Sequence, residues 1–216
     1  VLPVLLVADA AGVLRPLGAQ AAAAADALDA EAANLGPGRP VAGNPAKQAA
    51  LRLVGRLAVA WGTGQLGAVA ATRFRTQCNE NAKVPVVSAA APEADHNDVM
   101  GLEGGLGDGR ELVLLRDEAG EHERDGRRLA AVCAALGAGD PVVRRAGAGA
   151  PLARLARLVA FADFTSTYLG IARGRGPRLD RHHRPGQGGP GRRRRGGARM
   201  TPAGALEPRA GTGARR

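Results

Sequence analysis

The chain is short of several things. It has two cysteines in 216 residues, Cys78 and Cys133. Two thiols cannot build a disulfide framework, and no Cys-x-x-Cys pair is present for zinc or redox work. Reduced thiols point to a reducing compartment, and the expected location is cytoplasmic. Aromatics number five, Trp61, Phe74, Phe161, Phe164 and Tyr168. Lysine is nearly absent, at Lys47 and Lys83 alone. No apolar run reaches the roughly 18–20 residues needed to cross a bilayer, so no membrane partner is expected. The opening VLPVLLVADAAGVL carries Asp9 and no basic leading region, which makes it a poor signal peptide.

Positive charge is abundant but confined. The formal charge of +10 suggests nucleic acid at first sight. Residues 1–170, however, carry 17 Lys and Arg against 18 Asp and Glu, whereas 171–216 carry 13 Arg against Asp180 and Glu207. The body of the chain is near neutral. The last 46 residues include 11 Gly and 5 Pro beside those arginines, with no aromatic and no hydrophobic period. Such a segment buries too little apolar surface to offset its ordering entropy, so residues 175–216 are expected to be a disordered Arg/Gly/Pro-rich tail. The run Arg192–Arg195 has no interleaved aromatic side chain on which bases could stack, and no specific nucleic-acid partner is expected.

The body alternates between the two periods of secondary structure. Helical patterning covers about 16–34. Gly36-Pro37-Gly38-Arg39-Pro40 breaks it and reads as a linker. Asn44-Pro45 supplies an N-cap and an N1 proline for a helix whose buried stripe is Ala49, Leu53 and Leu57. Short apolar strands follow at 57–61, 84–90, 111–115 and 142–143. Helices are expected at 65–77, 122–136 and 151–171. Strands of this length separated by helices predict an α/β fold, a parallel sheet covered by helices on both faces.

Chemistry-bearing residues fall at the ends of these elements. Gly62-Thr63-Gly64 closes the first strand and opens a helix, where free backbone N–H groups can hold an anion. No Gly-Lys-Ser/Thr follows, so it is no Walker A loop, and an ordinary structural turn is the commoner reading. Glu80, in Gln77-Cys78-Asn79-Glu80-Asn81-Ala82-Lys83, lies between a helix and a strand, a place expected at the carboxyl edge of the sheet. Its residue type allows a general base, although most such glutamates are simply solvated. His96 lies in the polar stretch Pro92–Asp98. No second histidine lies near it, and no metal site is indicated.

In order along the chain, NPAKQAALRLVGR, WGTGQLGAVAATRFRTQCNENAKVP, APEADHNDV, LVLLRDE and FADFTSTYLGIARG resemble the C-terminal half of the bifunctional phosphoglucose/phosphomannose isomerases. Those enzymes are built from two sugar isomerase (SIS) domains. The resemblance covers about residues 1–174. It implies a three-layer αβα SIS domain at 44–174, preceded at 1–43 by the end of a first SIS domain absent from this chain.

The implied reaction interconverts glucose 6-phosphate or mannose 6-phosphate with fructose 6-phosphate through a cis-enediol, with no cofactor and no metal. Glu80 matches the proton-carrying base, and His96, 16 residues on, matches the group that opens the sugar ring. The implied partners are a sugar phosphate and a second copy of the chain, in a homodimer whose active site is shared between subunits. The phosphate-binding loops of such enzymes belong to the first domain, so Gly62, Thr63 and Gly64 remain weak candidates for substrate binding. A non-catalytic sugar-phosphate-binding SIS regulatory module is the alternative.

The resemblance also implies a catalytic lysine on a last helix, and neither lysine here matches it. Codons permitted for Arg175–Gly188 can be chosen so that, read one base out of frame, they encode VDPASIAITDLVKA, a turn followed by a lysine-bearing apolar helix. The tail is therefore expected to be a frameshifted product, and the chain as given to turn over weakly or not at all.

Overall fold

The computed structural model describes residues 2–13, 17–94, 109–121, 123–137 and 140–175. His96, most of the polar stretch around it and the arginine-rich tail lie outside the described residues.

Helix α1 (Leu2–Ala10) and helix α2 (Gly18–Leu35) lead into a short 3-10 turn at Val41–Gly43 and then α3 (Pro45–Leu53). Asn44 caps α3 as its position predicts. Its Oδ1 accepts from the Lys47 backbone N–H at 3.0 Å, and Pro45 takes the first helical position. Leu57 is not on the α3 stripe. The helix stops at Leu53, Gly55 turns the chain at φ +78°, and Leu57 opens a strand.

The four strands are β1 (Leu57–Thr63), β2 (Val86–Ala90), β3 (Arg110–Arg116) and β4 (Val142–Arg145). All pairings are parallel, in the order β2-β1-β3-β4. Helix α4 (Gly64–Gln77) joins β1 to β2, α5 (Glu123–Ala135) joins β3 to β4, and α6 (Pro151–Ala172) closes the fold.

The two faces of the sheet are sorted by the strand period of two. Ala58, Ala60, Val113 and Leu115 point to a core shared with α3, α4 and α6, centred on Phe74, Leu158 and Phe161. Val59, Trp61, Leu112 and Leu114 point the other way, to Leu129 and Leu136 on and beside α5. The strands buried on both faces are the reason β1 and β3 read as continuous apolar runs. The expected three-layer αβα architecture is what the described residues form.

The stretch expected as a linker is pinned. Asn44 Nδ2 donates to the carbonyls of Leu35 at 2.9 Å and Gly36 at 3.2 Å. Lys47 Nζ donates to the carbonyls of Pro37 and Arg39, each at 2.8 Å. Tyr168 on α6 donates its hydroxyl to the Leu35 carbonyl at 2.6 Å. Ala27, Glu31 and Leu35 form the buried stripe of α2, and Glu31 pairs with Arg144 on β4. Residues 1–43 thus sit within the same compact unit, Val1–Leu179, as the sheet. Among the described residues no helix is long and apolar enough to cross a membrane.

Candidate functional site

Glu80 rides on a single wide turn of π-helix, Cys78–Ala82, at the end of α4. Its neighbours are the anchors. Cys78 and Ala82 are fully buried, and Lys83 closes the turn in the left-handed region at φ 55°. The backbone N–H groups of Lys83 and Val84 both return to the Cys78 carbonyl. Burial pushes the Cys78 thiol up to about 12, so it is an inert core group and not a nucleophile. Glu80 itself is exposed.

The location differs from expectation. In a parallel sheet the helix after a strand runs back, so its C-terminal end and the turn before the next strand lie at the amino edge. Glu80 follows α4 and precedes β2, which places it at that edge and not at the carboxyl edge. Gly62 and Thr63 end β1 at the opposite edge, about 20 Å away along a seven-residue strand. The two candidate groups are therefore not brought together within one chain.

Helix α6 holds the Glu80 turn from the side. Asn81 Nδ2 donates to Ser166 Oγ at 3.0 Å and to Gln77 Oε1 at 3.3 Å. Ser166 is fully buried, and its hydroxyl donates in turn to the Asp163 carbonyl at 2.9 Å. At Gly170 a Cβ would lie 2.6 Å from the Asn81 carbonyl oxygen, so the turn and the helix touch backbone to backbone. Arg73 on α4 forks onto Asp163 through Nε–Oδ1 at 2.9 Å and Nη2–Oδ2 at 3.0 Å. Its pKa is raised by that hydrogen bond, against the desolvation it suffers; the charges of Asp163 and Glu80 add to the rise. Asp163, Ser166 and Gly170 recur at the helical spacing of one face. They lie in FADFTSTYLGIARG, whose polar residues received no role from sequence. Small and hydroxyl residues interrupting an otherwise apolar helix were the available signal.

The glycine turn serves packing. A Cβ on Gly62 would lie 2.1 Å from the Gly67 carbonyl oxygen, and one on Gly67 2.4 Å from that of Leu115. Gly64 has φ +63° and packs against the Asp117 carbonyl. The Thr63 hydroxyl does not cap α4; it donates to Glu121 Oε2 at 3.1 Å. Glu121 also accepts two bonds from Arg116 Nη2, at 3.0 and 2.9 Å. A cleft of about 320 Å³ opens here, lined by Thr63, Gly64, Pro92, Gly120, Glu121 and Asp125 among others. It lies beside the switch point between β1 and β3, where open α/β sheets take ligands, yet its charged lining residues are carboxylates. Glu121 among them is already paired with Arg116. Among the described residues no three His, Cys, Asp or Glu side chains converge as a metal site would need.

The parallel sheet in the order β2-β1-β3-β4, with apolar cores on both faces, defines an α/β domain. A solved structure, described as a glucose-6-phosphate isomerase like protein from Thermus thermophilus, superimposes with a TM-score of 0.58 at 26% identity, covering 70% of this chain and 50% of that one. The family described as the bacterial phospho-glucose isomerase C-terminal SIS domain matches residues 42–179, and the chain belongs to it. The chain spans half the length of that solved relative. No curated protein matches it.

Proposed function

We propose that this chain is the second domain of an aldose–ketose isomerase acting on glucose 6-phosphate or mannose 6-phosphate and fructose 6-phosphate, with Glu80 as its base. The observation that carries the reading is the Glu80 turn: an exposed carboxylate on a backbone fixed by buried neighbours and by α6.

In the open-chain aldose the Glu80 carboxylate removes the C2 proton. The C2–H electrons form the C1–C2 double bond, and the C1 carbonyl oxygen takes a proton to give the cis-enediol. The 2-hydroxyl then loses its proton as the C2 carbonyl forms, and Glu80 returns its proton to C1. Atoms and charge balance, and one group lying over both carbons suffices. In this reading His96 opens the sugar ring before that step, its residue type suiting proton transfer to and from the ring oxygen.

The two-subunit site that the resemblance implies, with His96 reaching into the active site of a second copy, is part of this reading. The phosphate is held by the first SIS domain in this reading.

In the two-domain protein, Glu80→Gln is expected to cut deuterium exchange at C2 of the sugar phosphate by at least about 100-fold while binding persists. Undiminished exchange would refute the role of Glu80. The 216-residue chain alone is expected to show weak or no turnover in a coupled fructose 6-phosphate assay, and substantial activity would show that the first domain is dispensable.

A further inference from the structure

We propose that Ser166 is a positioning residue for the isomerase base, acting through Asn81 to fix the direction in which Glu80 is presented. The inference rests on the reading of Glu80 as that base.

Four observations carry it. Glu80 is exposed, so its direction is set by the backbone of its turn and not by packing around its side chain. That turn is a π-helical one, a rare conformation that needs tertiary support to persist. The support from the side is a polar contact between residues 85 positions apart, Asn81 Nδ2 to Ser166 Oγ. Ser166 has no freedom to give way, because it is fully buried and its own proton is committed to the Asp163 carbonyl. Asn81 directly follows Glu80 in the chain, so anchoring its side chain restrains the backbone on which Glu80 is carried.

Asp163 extends the arrangement. Its carbonyl accepts from Ser166 and also from Thr167 at 2.8 Å, while its carboxylate holds Arg73. The hydroxyl that fixes the turn and the guanidinium whose charge reaches Glu80 are thus held by the same residue. Ser166 touches no reacting atom in this scheme. Its effect is on the distance and angle at which the Glu80 carboxylate meets C2, and a misplacement of about 1 Å at such a group can cost about 100-fold in rate.

The test uses the two-domain protein with Ser166→Ala, Asn81→Ala, the double variant and Glu80→Gln in parallel, assayed for kcat, KM and C2 deuterium exchange. Ser166→Ala is expected to lower kcat and exchange by about 10- to 100-fold, with KM within about twofold of the parent. Asn81→Ala is expected to match it, and the double variant to be no worse than either single, because both break the Asn81–Ser166 contact they share. Should Ser166→Ala fail to fold, Asn81→Ala carries the same expectation from a half-buried position. Full kcat in either single variant beside an inactive Glu80→Gln overturns the positioning role and leaves the base intact. Losses that multiply in the double variant, or that fall on KM alone, overturn it too. Undiminished exchange in Glu80→Gln overturns both this inference and the reading beneath it.

Discussion

The two edges of the sheet use their polar residues in opposite ways. At the carboxyl edge, the glycines are spent on contact: Gly62, Gly64 and Gly67 let backbone meet backbone. The charges there are neutralised in place, with Glu121 shared between Arg116 and the Thr63 hydroxyl. At the Glu80 turn, on the amino edge, the anchors are buried and the carboxylate is exposed. A glycine-rich turn after a strand is thus poor evidence of a ligand when its missing Cβ atoms are accounted for by the protein itself. An ordinary helix-to-strand turn becomes a candidate site when its supports are more elaborate than a turn requires.

This contrast can be broken at several points. Gly62→Ala is the harshest, because the added methyl meets the Gly67 carbonyl and the Ala68 nitrogen at 2.1 and 2.4 Å, all backbone. We expect more than about 4 kcal/mol of destabilisation, or no soluble protein, read by chemical denaturation. A stable Gly62→Ala would free the turn for a role beyond packing. Glu121→Gln keeps the shape and removes the charge from a site where that carboxylate is 5% exposed. The expected loss is about 2 kcal/mol from charge-assisted bonds to Arg116 and Thr63, seen as a lowered denaturation midpoint. An unchanged midpoint would mean that the carboxyl-edge pairs are ornamental.

A further test reaches the amino edge through pH. Cys78 ionises at about 9.0 when unperturbed and at about 12 in the fold. Below pH 9 the thiol is protonated folded or unfolded, and it has no effect on the pH dependence. Between pH 9 and 12 the unfolded chain releases this proton and the folded one does not, so stability falls by about 1.4 kcal/mol per pH unit from this group. Cys78→Ala should flatten that part of the stability–pH curve measured by urea denaturation. Equal slopes in the two proteins would show that the Glu80 turn opens to water at alkaline pH.

Much of this was legible beforehand. Among the described residues, the strand period of two, the helix period and the Asn44-Pro45 start located every strand and every α-helix from α2 onward within a few residues. Two errors were local in origin. The spacing from Leu53 reaches Leu57, which also opens an apolar strand run, and Gly55 with its positive φ ends the helix before it. Glu80 was assigned to the wrong sheet edge although the parallel order already implied the right one, since a returning helix must end where its strand began. The Ser166–Asn81 contact was a different matter. It joins residues 85 apart, and no local pattern marks which hydroxyl on an apolar helix will meet which amide.

Helix α6 carries two fastenings almost side by side. Ser166 holds the Glu80 turn, and two residues on, the Tyr168 hydroxyl holds the Leu35 carbonyl at the end of α2. Whatever strains the junction after α2 therefore loads the same rod that braces the Glu80 turn. Protection against hydrogen exchange in α2's last turn, in α3 and at the 78–83 turn should rise and fall as one cooperative block. A stretch that reads as a flexible tether between two bodies is, in this molecule, a mechanical joint.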